Sequence, residues 1–273
     1  MKLREIILRA QYKLQQSGVE EASFTALFLV RSFFGFDAAT LYIYLDEEFA
    51  IDKFWSWVER CADGEPPAYI VGKQEFFGRT FLVNKDVLIP RPETEILIES
   101  VLSRYSHKEC LTVFDVGTGS GNIAITLKKE LKDAIVYSLD ISQAALNVAK
   151  MNASTLQANI DFIKSDLLAM APKDGAHIIA ANLPYVACGQ AQTDGFEPHL
   201  ALYCGENPLF LIKRLINECP PHLKSGGSVF LEVGEGQAEE VLLALKDTLH
   251  NCTNSGIEDD LAGIGRIVWA SIS

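Results

Sequence analysis

Four consecutive residues, Asn182, Leu183, Pro184 and Tyr185, have side chains that could position a reacting nitrogen atom. They follow the apolar run 176–181, which predicts a buried strand that ends where the chain turns toward solvent. Ligands bind at the carboxyl ends of the strands in open α/β sheets. An amide, a turn stiffened by proline and an aromatic ring suit the task of holding a planar, weakly nucleophilic nitrogen beside an electrophile. This NLPY loop (residues 182–185) therefore predicts methyl transfer to nitrogen, and a plain strand-ending turn is the alternative.

A glycine-rich turn provides a second candidate site. It follows the predicted strand 111–116, which contains Asp115, and leads into a predicted helix. The turn, which we call the glycine loop, consists of Gly117, Thr118, Gly119, Ser120 and Gly121. Glycine allows the backbone to approach a ligand closely because no β-carbon intervenes. The G-x-G-x-G spacing after an acidic residue differs from the G-x-G-x-x-G fingerprint of dinucleotide sites, which favours S-adenosylmethionine over NAD as the cofactor.

Two further positions fit the same cofactor. Asp140 follows the predicted strand 134–139 and lies 19 residues beyond Gly121, where a carboxylate can accept hydrogen bonds from both hydroxyls of a ribose. The N-cap of the following helix is the alternative role for Asp140. Asp166 and Leu167 come after the next predicted strand, where an adenine ring would be bracketed. Leu167 would supply apolar contact to the ring, or could equally belong to the core.

The elements that position these residues form two regions. Residues 2 to about 62 have the apolar spacing of helices without the alternation of strands. We predict a first helix that ends near Gly18 and further helices over 20–34, 38–45 and 47–61. The run Gly64-Glu-Pro-Pro67 marks a boundary before a predicted hairpin at 75–83. A loop stiffened by two prolines then leads to a helix that starts near Thr94.

Strands and helices alternate from residue 111 onward. The predicted strands cover 111–116, 134–139, 159–163, 176–181, 227–233 and about 265–271, and the predicted helices cover 121–131, 142–153, 207–218 and 236–248. Such alternation is typical of a doubly wound, mostly parallel sheet. The predicted fold class is therefore α/β, with a small N-terminal helical bundle and a β-hairpin linker.

Charge and cysteine usage narrow the classes of partner. The chain of 273 residues has a formal net charge of −12, which disfavours a generic nucleic-acid binder because such a protein needs a basic face. A protein or small-molecule substrate is favoured instead. The six cysteines form no C-x-x-C pair, and neither they nor the five histidines have zinc-ligand spacing, so we expect no metal. The N-terminus lacks a signal-peptide pattern and no apolar run could span a bilayer, so we expect a soluble, cytoplasmic protein.

The most specific match to a known family lies in the run 88–95, Leu-Ile-Pro-Arg-Pro-Glu-Thr-Glu, and in the segment 67–78. Both resemble the PrmC/HemK family, which methylates the side-chain amide of the glutamine in the Gly-Gly-Gln loop of class I peptide chain release factors. The resemblance continues in matching order through the rest of the chain. It includes the glycine loop with Asp115, Asp140, the NLPY loop, 197–202, Gly226, Gly227, Glu232 and 260–263.

The resemblance implies a class I S-adenosylmethionine-dependent methyltransferase in three parts. Residues 1–65 would form a helical domain that docks the release factor, residues 66–88 a linker with a β-hairpin, and residues 89–273 the catalytic domain that binds S-adenosylmethionine. The NLPY loop would be catalytic and would bind the substrate together with Arg91 and Glu93, and Asn182 would also contact the cofactor. We expect S-adenosylhomocysteine as the product, a monomer, and no direct binding of nucleic acid or membrane.

One residue departs from the family pattern, because Leu183 stands where the family usually has proline. Leucine there is also the pattern of rRNA adenine dimethyltransferases. The useful group at this position is the backbone carbonyl, which any residue supplies, although leucine lacks the fixed φ of proline. Asn182 Oδ1 and the Leu183 carbonyl can accept the two N–H bonds of a substrate amide, while Pro184 and Tyr185 pack on its faces. No side-chain base is required, because the N-methylated amide intermediate is strongly acidic.

Three other functions stay open from the sequence. An N6-adenine methyltransferase acting on rRNA or DNA would share the cofactor and an amide–turn–aromatic loop, but it does not explain the helical N-terminal region, the run 88–95 or the acidic charge. A catalytically silent relative would act as a binding protein. An NAD-dependent dehydrogenase is disfavoured by the spacing of the glycines.

Overall fold

The chain divides into two units along its sequence. The computed structural model describes residues 1–186, 195–202 and 207–273, and the units are Met1–Lys73 and Gln74–Ser273. This division falls inside the predicted linker, residues 66–88. Ile70 is buried in the core of the first unit, whereas Phe76 and Phe81 of the hairpin are buried in a core of the second. Residues on either side of this division are therefore buried in different cores, and the predicted domain bounds stay a prediction.

The first unit is a bundle of short helices. Its elements are α1 (Leu3–Gln16), α2 (Ala22–Phe34), α3 (Ala38–Ile43), α4 (Asp52–Ala62) and α5 (Pro67–Val71). Helix α1 buries Leu3, Ile6, Ala10 and Leu14, which lie on one face because they are three or four residues apart. The predicted helical region is therefore confirmed. Phe54 of α4 is buried, and most of the other aromatic residues of the unit are partly buried against its core.

One helix of this unit begins later than its sequence pattern predicts. The predicted helix 47–61 starts only at Asp52. The residues before it lie beside the start of α1, where Leu3 N donates to Glu47 O at 3.0 Å. The first N–H groups of a helix have no partner within that helix. The segment before α4 is therefore held in a non-helical conformation by a helix that lies far from it in sequence.

The second unit contains a sheet of seven strands among the described residues. The elements are β1 (Lys73–Phe76) and β2 (Arg79–Leu82) of the hairpin, then β3 (Thr112–Val116), β4 (Ile135–Asp140), β5 (Asp161–Lys164), β6 (Ala176–Ala181), β7 (Leu223–Glu232), β8 (Cys252–Asp259) and β9 (Gly265–Ile272). The hairpin strands are β1 and β2, and the seven strands of the sheet are β3 to β9 in chain order. The strand order is β5-β4-β3-β6-β7-β9-β8. The pairs from β5 to β7 are parallel, and β9 is antiparallel to both neighbours. The predicted mostly parallel sheet is confirmed.

Helices cover both faces of this sheet. They are α6 (Thr94–Tyr105), α7 (Asn122–Glu130), α8 (Gln143–Thr155), α9 (His199–Leu202), α10 (Phe210–Glu218) and α11 (Ala238–Thr248), with a short 3-10 helix at Pro220–His222. Successive side chains of a strand point to opposite faces. Phe114 accordingly lies in a core with Leu215 of α10, and its neighbour Val113 lies in a second core with Leu97 of α6. The sheet is therefore doubly wound, as the alternation of elements predicts.

Strand β8 has no clear signal in the sequence. Its residues are Cys-Thr-Asn-Ser-Gly-Ile-Glu-Asp, which lack the apolar alternation of a half-buried strand. Among the described strands, β8 lies at the edge of the sheet and pairs with β9. An edge strand can form through its backbone hydrogen bonds alone, and the ladder places Gly256 opposite the large ring of Trp269. The neighbouring strand, rather than the side chains of β8, therefore determines this element.

The carboxyl ends of the parallel strands bring the candidate residues to one edge of the sheet. The glycine loop follows β3, Asp140 ends β4, Asp166 follows β5 and the NLPY loop follows β6. Glu232, the last residue of β7, ends at the same edge. This is the edge at which open α/β sheets bind ligands.

Asn152 of α8 connects the hairpin to the glycine loop. Its Oδ1 accepts a hydrogen bond from Leu82 N at 2.7 Å. Its Nδ2 donates to Leu82 O at 2.9 Å and to Ser120 O at 2.8 Å. The buried Asn152 amide thus pairs with both backbone groups of Leu82, as the backbone of a neighbouring strand would. It also holds the Ser120 carbonyl of the glycine loop in place.

We expect Asn152→Ala to lower the free energy of unfolding by about 1–3 kcal/mol, because backbone groups of Leu82 and Ser120 lose their partner. Urea denaturation followed by circular dichroism measures this change. The matched control is Asn147→Ala, which truncates an exposed asparagine of the same helix and should change the stability by less than about 0.5 kcal/mol. Equal stability of the two variants would show that the Asn152 contacts contribute nothing.

Candidate active site

The glycine loop is shaped by left-handed backbone conformations. Gly117, Gly119 and Gly121 have φ values of 77°, 54° and 82°, which residues with a β-carbon rarely adopt. Gly117 N donates to Leu139 O at 2.8 Å, so the loop folds back onto the end of β4. A β-carbon at Gly119 would meet no atom within 4 Å. The loop therefore presents an open stretch of backbone at the sheet edge, as a ligand cradle requires.

Asp115 lies beneath this loop and is fully buried. Its Oδ2 accepts hydrogen bonds from Thr118 Oγ1 at 2.5 Å and from Ala124 N at 3.2 Å. Its Oδ1 has no partner among the described residues. Burial raises the pKa of Asp115 to about 7, against the lowering effect of these hydrogen bonds. An acceptor therefore remains beside the glycine loop for a cationic group of a ligand.

Asp140 holds the neighbouring turn together. Its Oδ2 accepts from Gly119 N at 2.9 Å, and its Oδ1 accepts from Ser142 N at 2.8 Å. The N-cap of α8 is Ser142, whose Oγ accepts from Ala145 N at 3.2 Å. The alternative role of Asp140 as the N-cap is therefore wrong, because Ser142 performs it. Burial raises the pKa of Asp140, and the ribose contact of this residue stays a prediction.

Asp166 and Leu167 lie on the far side of the glycine loop from the NLPY loop, because β4 and β3 separate β5 from β6. Leu167 is nearly buried and belongs to the core packed against α10. Its φ of 46° is unusual for a residue with a branched side chain. Asp166 forms two hydrogen bonds with the guanidinium of Arg214, at 3.0 and 2.8 Å. An adenine contact by Leu167 stays a prediction.

The NLPY loop is held at its first residue by Thr94. Asn182 Nδ2 donates to Thr94 Oγ1 at 3.0 Å, and Thr94 is the buried first residue of α6. The run 88–95 and the NLPY loop, which are distant in sequence, therefore meet at this hydrogen bond. Because Nδ2 is engaged by Thr94, Oδ1 is the end of the Asn182 amide that can accept a hydrogen bond from a ligand.

Leu183 packs against the glycine loop. Its side chain is only 4% exposed, and its Cδ2 would lie 2.8 Å from a β-carbon placed on Gly117. The absence of a side chain at Gly117 therefore makes room for the leucine. This contact compensates for the missing proline, since it anchors the backbone of the loop through packing rather than through a fixed φ.

Tyr185 is fixed by the segment that follows β7. Its carbonyl accepts from Gln237 Nε2 at 3.0 Å, and Gln237 Oε1 accepts from Gly234 N at 2.9 Å. The ring lies over Gly234, where an added β-carbon would come within 3.1 Å of Tyr185 Cδ2. Burial and the nearby charge of Glu232 raise the pKa of the Tyr185 hydroxyl. Pro184, between these anchored residues, is partly buried.

Glu232 is a buried carboxyl group behind the NLPY loop. Tyr185 Oη donates to Glu232 Oε1 at 3.4 Å, and the Thr94 hydroxyl also acts to lower the pKa of this carboxyl group. Burial nevertheless raises the pKa of Glu232 to about 7. The family resemblance includes Glu232 but assigns it no role. Its position at the end of an apolar strand was the only sequence signal that could have identified it.

The two predicted substrate-binding residues of the loop before α6 differ in their surroundings. Arg91 Nη2 forms an ion pair with Glu197 Oε2 at 2.6 Å, and Glu197 Oε1 also accepts from Ile89 N at 3.3 Å. The Arg91 side chain is still 41% exposed, whereas Glu197 is 8% exposed. Glu93 is partly buried, and its negative charge acts to raise the pKa of Glu232. Substrate contact by Arg91 and Glu93 stays a prediction.

Over residues 1–186, 195–202 and 207–273, no group of three or more His, Cys, Asp or Glu side chains could hold a metal ion. The helices within those same ranges include none that is long and apolar enough to cross a membrane.

The sheet order, the glycine loop at the end of β3 and the NLPY loop at the end of β6 together define an S-adenosylmethionine-dependent methyltransferase. The family model described as "Methyltransferase small domain" matches residues 92–198, and the one described as "PrmC N-terminal domain" matches residues 5–72. A 16S rRNA methyltransferase from T. thermophilus, solved in complex with AdoMet and guanosine, has a similar fold with a TM-score of 0.53. It is 16% identical, and the match covers 74% of this chain and 50% of that one.

The sequence relatives are more specific. A release factor glutamine methyltransferase of Koribacter versatilis is 40% identical over 98% of this chain and 98% of its own length. One from Neisseria gonorrhoeae is 41% identical over 77% of each chain. This chain therefore belongs to the release factor glutamine methyltransferase family, and the family resemblance of its motifs is confirmed.

We expect Leu183→Ala to destabilise the protein by about 2–4 kcal/mol, because it leaves a cavity beside the glycine loop. Chemical denaturation measures the change, and Leu243→Ala, which truncates an exposed leucine of α11, serves as the control. Gly117→Ala should also destabilise, through its positive φ and its clash with Leu183. The double variant should lose less than the sum of the single variants, because the clash disappears. Strict additivity would contradict the contact.

The two buried carboxyl groups predict a pH dependence of stability. Burial raises the pKa of Asp115 and of Glu232 to about 7 in the folded protein, whereas the unfolded values are about 4. The folded chain therefore holds these protons more tightly, so their stabilising contribution is complete below pH about 4 and is lost as the pH rises through about 7.

Glu232→Gln isolates the contribution of one group. Relative to the wild type, this variant should gain about 2–3 kcal/mol of unfolding free energy between pH 5 and pH 8. Denaturation curves at the two pH values measure the difference, and other titrating groups cancel in the comparison. A relative stability that is constant with pH would mean that Glu232 titrates as an ordinary carboxyl group.

Proposed function

We propose that this chain transfers the methyl group of S-adenosylmethionine to the side-chain amide nitrogen of the glutamine in the Gly-Gly-Gln motif of class I peptide chain release factors. The names of the relatives that match over most of their length support this substrate. The observation that carries the proposal is the orientation of Asn182, whose Nδ2 is bonded to Thr94. The Oδ1 atom is thereby left to accept an N–H bond, which is what a primary amide offers.

The residues around the glycine loop fit S-adenosylmethionine. This cofactor supplies an electrophilic methyl group on a positively charged sulfonium. Asp115 Oδ1, which is buried without a partner, suits a cationic ligand. Each oxygen of Asp140 accepts one backbone N–H, so both keep lone pairs that ribose hydroxyls could use. Gly117, Thr118, Gly119, Ser120 and Gly121 would line the cofactor with backbone atoms, and Leu167 would lie on the adenine side.

The chain would promote the reaction by orienting the substrate amide. The lone pair of an amide nitrogen is delocalised into its carbonyl, so the nitrogen must be aimed at the methyl group. Asn182 Oδ1 and the Leu183 carbonyl would accept the two N–H bonds, with the carbonyl held in place by the packing of Leu183 against Gly117. Pro184 and the Tyr185 ring would flank the planar amide and exclude water. The proton leaves the N-methylated amide to water, so no side-chain base takes part.

Release-factor recognition would involve both units. Arg91 keeps guanidinium N–H groups exposed while its ion pair with Glu197 fixes the loop that carries Glu93. The helical unit, which the PrmC N-terminal model matches, carries exposed apolar side chains such as Phe24 and Tyr12 that could contact the body of a release factor. Since such a substrate works on ribosomes, we place the reaction in the cytoplasm, with the chain acting as a monomer.

Mass spectrometry of a release factor after incubation with S-adenosylmethionine tests the proposal. We expect one added methyl group on the glutamine of Gly-Gly-Gln, and none on a release factor in which that glutamine is replaced by glutamate. The competing substrate, adenine in ribosomal RNA, is tested in parallel with labelled S-adenosylmethionine. Labelled RNA together with an unmodified release factor would overturn the proposal.

We expect Asn182→Ala to lower the methylation rate by about 10²–10³, because it removes a preorganised hydrogen bond at the reacting group. The rate is measured under single-turnover conditions with saturating S-adenosylmethionine. Asn147→Ala, an exposed asparagine of α8, is the control and should keep the wild-type rate. Near-wild-type turnover by Asn182→Ala would refute the role of the amide.

A further inference from the structure

The reaction described above makes no direct use of the buried carboxyl group of Glu232. This side chain is 1% exposed, and its Oε2 has no partner among the described residues. The Tyr185 hydroxyl of the NLPY loop donates to Oε1 at 3.4 Å. The Thr94 hydroxyl, at the start of α6, also acts on this carboxyl group and lowers its pKa.

The hydrogen bonds around the Thr94 hydroxyl have a definite direction. A carboxylate can only accept hydrogen bonds, whereas a threonine hydroxyl has one hydrogen to donate and lone pairs to accept. The Thr94 oxygen accepts from Asn182 Nδ2 at 3.0 Å, so its own hydrogen has to point elsewhere. The buried Glu232 carboxylate, whose Oε2 has no partner among the described residues and whose pKa the Thr94 hydroxyl acts to lower, is the acceptor for it. The charge on Glu232 thus determines, through one hydroxyl group, which end of the Asn182 amide faces away from Thr94.

We infer that Glu232 is a positioning residue, which fixes the orientation of the Asn182 side-chain amide through the Thr94 hydroxyl and so keeps Oδ1 toward the substrate. This inference rests on the proposed function, because only a substrate that donates an N–H bond requires Oδ1 in that place. With glutamine at position 232, the amide there can donate to Thr94. The Thr94 hydrogen can then turn to Asn182, which would be stable with its amide reversed.

The groups around Glu232 favour this direction. Tyr185 also faces the carboxylate, and because its pKa is raised, it keeps its hydrogen and remains a donor. Glu93 from the preceding loop and Arg266 of β9 are the other charged groups that act on Glu232, with opposite effects. Arg266 Nε is itself bonded to Asp260 Oδ2 at 2.9 Å. Since the pKa of Glu232 is about 7, the direction of the hydrogen bonds from Asn182 through Thr94 to Glu232 should be lost as the pH falls below that value.

The first test compares Glu232→Gln and Thr94→Val with the wild type in release-factor methylation. Both variants keep the side-chain volume, and we expect each to lower kcat by about 10-fold to 100-fold, as for a misaligned reacting group. The dissociation constant for S-adenosylmethionine should change much less than kcat, because the glycine loop is untouched and Asn182 is only one of the predicted cofactor contacts. Thr94→Ser keeps the hydroxyl and should restore most of the activity. The double variant should be no slower than the single ones, because both substitutions interrupt the same series of hydrogen bonds.

The pH profile separates positioning from a loss of folding. In the wild type, kcat should rise through pH about 7, and Glu232→Gln should lack this rise while gaining stability relative to the wild type over the same pH range. The matched control is Glu258→Gln, because Glu258 Oε1 accepts from the Ser100 hydroxyl of the same helix at 2.7 Å. That variant should keep the wild-type rate and profile. If Glu232→Gln keeps kcat within about threefold of the wild type, or if Glu258→Gln loses as much, the inference is wrong.

A second measurement needs no substrate. The side-chain amide signals of Asn182 in a ¹⁵N–¹H spectrum can be assigned by their loss in Asn182→Asp. We expect them to shift with a midpoint near pH 7 in the wild type, and to be insensitive to pH in Glu232→Gln and Thr94→Val. Signals that do not titrate in the wild type would overturn the inference. Failure of the wild type to methylate a release factor would instead overturn the proposed function, whatever the spectra show.

Discussion

The hydrogen bond between Asn182 Nδ2 and Thr94 Oγ1 is the interaction on which the site depends. It joins two segments that are 88 residues apart in sequence. The two ends of an asparagine amide have nearly the same shape, so its hydrogen-bond partners decide which end faces a ligand. Thr94 opens α6, and α6 is held against the sheet by buried residues such as Leu97. The packing of α6 thereby fixes the position of the Thr94 hydroxyl and, through its hydrogen bond, the Asn182 side-chain amide.

The NLPY loop is fixed at three residues, two of them by hydrogen bonds and one by packing. Asn182 is held by a hydrogen bond, Leu183 by packing in space left by Gly117, and Tyr185 by the side chain of Gln237. Proline in place of Leu183 would restrict φ directly, whereas leucine reaches a defined conformation through burial. The buried charges of Asp115 and Glu232 oppose folding at neutral pH, since desolvation disfavours a carboxylate. Such a cost is expected where polar groups are kept for binding and catalysis.

Much of the fold could be predicted from local patterns. The α/β alternation after residue 111 and the one-sided apolar spacing of α1 are properties of neighbouring residues, so the sequence displays them directly. The errors have a common cause. β8 is polar and forms through its pairing with β9, and the segment before Asp52 is held by the start of α1. Each is decided by a partner that is not adjacent in sequence.

The sequence by itself determined the fold class, the glycine loop, the NLPY loop and the family, because these depend on residue types at fixed short spacings. Tertiary structure alone decided how the candidate residues are engaged. It paired Arg91 with Glu197, gave the N-cap to Ser142 in place of Asp140, and placed Glu232 behind Thr94 and Tyr185. The physical reason is that a side chain's partners are set by the packing of whole strands and helices, and that packing brings together residues whose separation along the chain carries no signal.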